Sequence, residues 1–211
     1  IYPAHDDAVS LYLRLRERNP ATFAGYFDLG DVQIVSASPE RFLRVEAGRV
    51  ETRPIKGTRP RSHCPEADLF SCDELRQSQK DRAENVMIVD LLRNDLSHLV
   101  DNTGGGRVEV ESLFDVERYR TVFQMTSTIV ATRFGSDRIP PARILEAIFP
   151  CGSVTGAPKI RTMEIIDELE LESRGVYTGA IGYFSPDGEA AFNVPIRTVV
   201  IQGSKGEMGI G

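Results

Sequence analysis

Between Phe23 and Ile55 the chain is cut into short lengths by turns at Leu29-Gly30-Asp31, Ser38-Pro39 and Ala47-Gly48, and the flanks are rich in Val, Ile and Phe. Such lengths, bounded by turn residues, read as successive strands. Connections this tight favour antiparallel neighbours, because a parallel pair needs a long crossover. The helical patterns fall in blocks of their own rather than alternating with single strands. That separation predicts an α+β chain with largely antiparallel sheet.

The stretch DDAVSLYLRLRERNP predicts a first helix. Asp6 or Asp7 caps it, Asn19-Pro20 stops it, and Val9, Tyr12 and Leu13 share a face. RPRSHCPEADLFSCDE is polar and irregular and reads as a loop or short helix. From about Glu74 to Leu99 the pattern is helical, and Val86 to Val89, apolar on all sides, predict deep burial. The glycine cluster in DNTGGGRVEVESL breaks that helix. YRTVFQMTSTIVATRF reads as a strand, and PPARILEAIF as a short helix opening on proline. GAPKIRTMEIIDELE reads as a further helix with Ile160, Met163, Ile166 and Leu169 on one side. GVYTGAIGYFSPDGEAAFNVPIRTVVIQG reads as a strand pair turning at Pro186-Asp187-Gly188.

With 211 residues, 41% hydrophobic and 27% charged, the chain has ordinary globular composition and is long enough for a sizeable core. A net charge of −6 does not suggest a nucleic-acid partner. No apolar run approaches the length of a membrane span. Cys64, Cys72 and Cys151 are widely spaced and match neither a disulfide framework nor a zinc site, so a reducing cytoplasm is the expected compartment. The start, IYPAHDD, carries no export leader and lacks a Met, so it reads as the interior of a longer chain.

Four groups of residues can carry chemistry. Asp81 and Glu84 lie three apart and share a helix face just before its most apolar part, with Asp90 following. They are either ligands for a hard cation such as Mg²⁺ or partners of Lys80, Arg82 or Arg93 on a solvated face. CGSVTGAPK, from Cys151 to Lys159, is either an anion pocket built from small residues, hydroxyls of Ser153 and Thr155 and a following helix N-terminus, or a plain glycine-rich loop with capping hydroxyls. Arg197, among β-branched residues in NVPIRTVVI, is either a carboxylate clamp or an edge residue. Lys56 and Glu40 come together if the intervening strands return as a hairpin. A partly desolvated lysine is a nucleophile and a carboxyl beside it a general acid; otherwise Lys56 is a solvated turn lysine.

The order of SPERF, TRPIKGT, DRAENVMIVDLLRNDL, GSVTGAPKIRTMEIIDELE and RGVYTGAIGYF…IRT, from about Glu40 to Arg197, resembles the chorismate-utilising enzymes. That family includes anthranilate, aminodeoxychorismate, isochorismate and salicylate synthases. The resemblance implies two α/β subdomains with sheets packed face to face and a site in the cleft between them. Anthranilate synthases usually carry Ala where this chain has Lys56. Lysine there resembles the branch that aminates chorismate to 4-amino-4-deoxychorismate, the precursor of p-aminobenzoate and folate. By position, Lys56 is then the nucleophile and Glu40 the acid for the departing hydroxyl. Glu84 is a direct Mg²⁺ ligand and Asp81 an outer one. Arg197, Tyr177 and Ser153 hold the enolpyruvyl side, and Gly57 and Thr58 line the pocket.

The implied partners are chorismate and a glutamine amidotransferase subunit or domain that supplies ammonia. Gln124 stands where the family often has a histidine linked to pyruvate elimination, which fits an enzyme that stops at the aminated product. The family also continues beyond both ends of this sequence, so residues 1–211 read as part of one catalytic domain with half the metal site elsewhere, inactive by itself. The alternatives are another chorismate enzyme, such as anthranilate, isochorismate or salicylate synthase, and a chorismate-binding module without turnover.

Overall fold

Asp7 starts the first helix by accepting the Ser10 N–H at 3.0 Å, which satisfies one of the donors a helix leaves free at its start. The computed structural model describes residues 2–3, 7–102, 105–132 and 141–209; the alternative cap, Asp6, lies outside them. In chain order the elements begin with β1 (Tyr2–Pro3), α1 (Ala8–Arg18), β2 (Phe23–Asp28), β3 (Val32–Ser38), β4 (Arg41–Glu46), β5 (Arg49–Arg53) and β6 (Ile55–Pro60). Then follow α2 (Pro65–Gln77), α3 (Gln79–Asn102), β7 (Arg107–Arg118), β8 (Val122–Thr132), α4 (Pro141–Ile148) and a 3₁₀ turn at Gly152–Val154. The last elements are α5 (Lys159–Leu169), β9 (Ile181–Phe184), β10 (Ala190–Asn193), β11 (Thr198–Gln202) and β12 (Lys205–Met208). No helix among the described residues is long and apolar enough to cross a membrane.

The strands form two sheets, and every pairing between described strands is antiparallel, which gives the expected α+β class. One sheet runs β1-β12-β11-β3-β2 and the other β6-β8-β5-β4-β10-β9, with β7 also paired to β8. The chain passes from the first sheet to the second through Pro39-Glu40 and returns through Val194–Arg197. These crossings are tied together. Val194 N–H donates to Glu40 O at 3.1 Å, Ser38 Oγ to Val194 O at 2.6 Å, and Ala37 N–H to Arg197 O at 3.1 Å. The main core lies between the second sheet and α3 and α4, where Phe42, Leu43, Leu92, Leu96, Ile129 and Ile144 are buried. A cavity of about 760 Å³ is lined by Ile34 of the first sheet, Ile181 and Phe192 of the second, and Leu145 and Phe149 beside them.

Several local expectations are corrected. α1 buries Ala8 and packs Leu11, Tyr12 and Leu15 on the first sheet, whereas Val9 and Leu13 are exposed. The spacing 8, 11, 12, 15 is one helical stripe, and residues 9 and 13 lie beside it. The helix expected from Glu74 is broken at Ser78 into the end of α2 and α3; the polar stretch before it, expected as a loop or short helix, is the end of β6, a loop, and α2 from Pro65. Ser78 Oγ accepts the Asp81 N–H at 3.3 Å and so caps α3; Ser-x-x-Asp is the sequence signature of such a start. Ile88 and Val89 are buried but Val86 and Met87 are not, because α3 meets the sheet on one side only. The residues after the glycine cluster, given no element in the sequence reading, form β7. α5 forms within its expected stretch but starts at Lys159, with Pro158 as its cap; none of its residues is buried, and Ile160 and Leu169 are about three-quarters exposed at 76% and 74%.

Candidate active site

β6 runs beside the first half of β8, and its register slips between Ile55 and Thr58. A bulge of this kind takes residues out of the ladder and re-aims their side chains; here those residues are Lys56 and Gly57. Lys56 Nζ donates to the Ser153 main-chain oxygen at 3.4 Å. Gly57 has φ +96, and a Cβ on it would come within 2.9 Å of Leu75 Cδ1 and 3.0 Å of Asp81 Cβ and Cγ. The bulge is therefore pressed against the α2–α3 junction in a conformation suited to glycine. Thr58 faces the buried Gln124 of β8.

Glu40 sits at the crossing between the sheets, 6% exposed, and its Oε1 has no hydrogen-bond partner among the described residues. Burial pushes its carboxyl above the usual range, while the Ser153 side chain, the Lys56 charge and the Ile55 N–H pull the other way. Burial shifts such a carboxyl in the direction that suits a general acid. Cys151 is also buried beside this group, with Sγ 3.2 Å from Ser153 Oγ. Burial, and then the Glu40 charge, push its thiol up to about 12, so it is not a thiolate nucleophile.

Tyr177 and Arg197 are not brought to that group: they line two separate cavities, neither of which is lined by Lys56, Glu40 or Ser153. Tyr177 lines a cavity of about 770 Å³ with Val154, Thr155, Arg174 and Thr178, and its ring fits against Gly209, where a Cβ would approach to 2.2 Å. Its neighbour Thr178 is buried with φ +61, an uncommon backbone state for a β-branched residue. Arg197 is not within a strand, as its β-branched neighbours suggest. It lies in the crossing before β11 with φ +51, exposed, and lines a cavity of about 170 Å³ with Pro39, Tyr119, Arg120 and Gln124. Irregular backbone of this kind clusters at working sites.

The helix acids separate. Asp90 pairs with Arg93 at 3.2 Å on an exposed face, the bland outcome. Glu84 is half-exposed, 3.8 Å from Lys80. Asp81 pairs not with Lys80 or Arg82 but with Arg59, whose Nη2 donates to Asp81 Oδ2 at 2.9 Å and to Glu74 Oε1 at 2.8 Å. Arg59 escaped the sequence reading. The signal was there, since Gly57 and Arg59 alternate onto one face of a strand. Asn85 was missed as well. It is fully buried one turn beyond Asp81, with Oδ1 accepting Ser127 Oγ at 2.6 Å and Nδ2 unpartnered among the described residues.

The family model for chorismate binding enzyme matches residues 1–211. The chain belongs to the chorismate binding enzymes. It is 50% identical to the aminodeoxychorismate synthase of Streptomyces griseus over 95% of this chain and 27% of that protein. It is 46% identical to aminodeoxychorismate synthase component 1 of Salmonella typhimurium over 92% of this chain and 41% of that protein. Among solved structures it resembles anthranilate synthase component I from Streptococcus pneumoniae TIGR4, with a TM-score of 0.82 and 36% identity, over 97% of this chain and 44% of that one. The chain thus spans less than half the length of these relatives.

For a chorismate binding enzyme the donor set around α3 is informative. No group of three His, Cys, Asp or Glu converges among the described residues. Mg²⁺ commonly takes one or two protein carboxylates and completes its shell with water and substrate oxygens. Glu84, half-exposed and loosely paired, fits a direct ligand; Asp81, already neutralised by Arg59, fits an outer one.

Proposed function

We propose that the protein carrying this chain aminates chorismate to 4-amino-4-deoxychorismate, with Lys56 as nucleophile and Glu40 as acid. The observation that carries the reading is the convergence of Lys56, Ser153 and a buried, protonation-prone Glu40 at one crossing of the two sheets. The Lys56 amine forms a C–N bond to the ring as the ring C–O bond breaks. The departing hydroxyl takes the Glu40 proton and leaves as water. Ammonia then forms its own C–N bond to the ring as the ring–Lys56 C–N bond breaks; Lys56 leaves as the neutral amine, and the proton shed by the new ring ammonium returns to Glu40. A tethered amine acts at a high effective concentration and divides one hard substitution into two easier ones.

Glu84 and Asp81 would hold Mg²⁺, which supplies positive charge for the ring carboxylate of chorismate. Arg197, Tyr177 and Ser153 hold the enolpyruvyl side, and Gly57 and Thr58 line the pocket. The name component 1 borne by a 46% identical relative supports a second component as partner, a glutamine amidotransferase that delivers ammonia. The reading places the enzyme in the cytoplasm, in p-aminobenzoate and folate supply.

The test is to incubate the full-length protein with chorismate, ammonium and Mg²⁺ and to identify the product by chromatography and mass. Aminodeoxychorismate, lost on Lys56→Ala, is the expected result. Anthranilate or a hydroxylated isomer would keep the family and overturn the branch. Chorismate binding with no product would leave a binding module.

A further inference from the structure

Residues 149–158 connect α4 to α5 and carry Ser153, the residue whose oxygen receives Lys56. One ammonium fastens both ends of this connection. Lys159, the first residue of α5, lies beyond its end, and Lys159 Nζ donates to the main-chain oxygen of Ile148, just before its start, at 3.2 Å. The same Nζ donates to Asp95 Oδ2 of α3 at 2.5 Å. Both side chains are nearly enclosed, at 14% and 9% exposure.

Burial raises the Asp95 carboxyl, and the Lys159 hydrogen bond and charge, with a smaller pull from His98, oppose that without overcoming it; the pair is held by its geometry, Lys159 Nζ donating to both Asp95 and Ile148. Buried ion pairs add little net stability compared with apolar packing, but they fix geometry when their remaining bonds are satisfied. The middle of the connection rests on the same helix, because a Cβ on Gly152 would come within 2.8 Å of Leu91 Cδ2. Within it, Val154 N–H donates to Cys151 O at 3.2 Å and Thr155 Oγ1 to the same oxygen at 3.2 Å. The connection is therefore a closed unit whose position on α3 is set by the Asp95–Lys159 pair.

We propose that Lys159 and Asp95 are positioning residues that act through this unit, holding the Ser153 oxygen where it orients the Lys56 amine and the Ser153 side chain where it meets Glu40. Neither touches substrate. The proposal rests on the amination reading for its kinetic readout only.

The test uses the full-length protein and the double variant Asp95→Asn with Lys159→Met, which removes the pair without stranding a buried charge. Three quantities are compared with wild type: thermal melting, turnover of chorismate with ammonium chloride, and competitive acetylation of Lys56 against Lys80, read by peptide mass spectrometry. Lys80 is the reference because its side chain is 84% exposed near the start of α3, several turns before Asp95. The expected result is cooperative melting with kcat lowered about tenfold or more. KM for chorismate should change by less than about threefold, and the Lys56-to-Lys80 labelling ratio should rise about threefold or more as the amine loses its fixed acceptor.

A folded variant with unchanged kcat and unchanged ratio overturns the proposal. If the double variant does not fold, Asp95→Glu moves the same ion pair by one methylene; it is expected to shift the ratio in the same direction, and an unchanged ratio again overturns the proposal. Wild type that makes no aminated product overturns the proposed function instead, and the labelling ratio, which needs no substrate, still decides the positioning role.

Discussion

Lys56 Nζ reaches the Ser153 main-chain oxygen at 3.4 Å, across 97 positions of sequence. That is long for an N–H···O bond, whose usual range ends near 3.2 Å. A contact of that length constrains the amine only weakly. Glu40, from the neighbouring crossing, feels both partners.

Glu40→Gln separates stability from chemistry. The buried carboxyl titrates above its ordinary 4.5, so the native state binds more protons than the unfolded chain between those values. Stability therefore falls as pH rises through that window. Glutamine keeps the shape without the titration. At pH 7 the variant should melt at or above wild type, the difference should vanish below about pH 4, and turnover should fall by about a hundredfold. Thermal melting across pH, with one kinetic measurement, checks all three.

Gly57→Ala places a methyl against Leu75 and Asp81 and forces an L residue to φ +96. A loss of about 1–3 kcal/mol is expected from the backbone state. Urea unfolding measures it. A variant as stable as wild type would show that the bulge shifts freely.

Arg59→Gln frees Asp81 from its only close cation among the described residues. With more negative charge left beside Glu84, Mg²⁺ should bind the full-length protein about three- to tenfold more tightly, as read by isothermal titration. Weaker binding would mean that Arg59 holds Asp81 in its working place.

Asp68 fastens the start of α2: its oxygens accept Arg61 Nε at 2.8 Å, Arg61 Nη2 at 2.9 Å and the Ser62 N–H at 2.9 Å. These bonds, the Arg61 side chain first, hold its carboxyl down to about 2 against an ordinary 3.8. Its contribution is present above the ordinary value and lost as pH falls through the lower one. Asp68→Asn should therefore melt lower than wild type at pH 7, and the two curves should converge toward pH 2. Parallel curves across the whole range would refute an ionic role.

The strands from Phe23 to Arg53 were legible because turns declare themselves locally, Gly30 and Gly48 by allowing positive φ and Pro39 by fixing its own, whereas β6, running on to Pro60, was not. The first helix and its cap at Asp7 were legible for the same reason. The break at Ser78 carried a signature that was passed over. Lys56, Glu40 and Ser153 came into one hypothesis only through the family resemblance that their motif order carries; residue chemistry and spacing alone had left them as separate candidates.

Which face of a helix is buried was not available in that way. Val9 and Val86 are as apolar as Val35 and Val89, and only the sheet beneath them decides which lose water. Nor was the choice of ion-pair partner: Asp81 has Lys80 and Arg82 beside it in sequence, yet it takes Arg59 because a bulged strand lies against its helix. The clamp between Asp95 and Lys159, 64 residues apart, is of the same kind. Local sequence determines backbone preference and chemical inventory. Burial and partnership depend on what the rest of the chain brings alongside, and that is decided only when the sheets and helices pack.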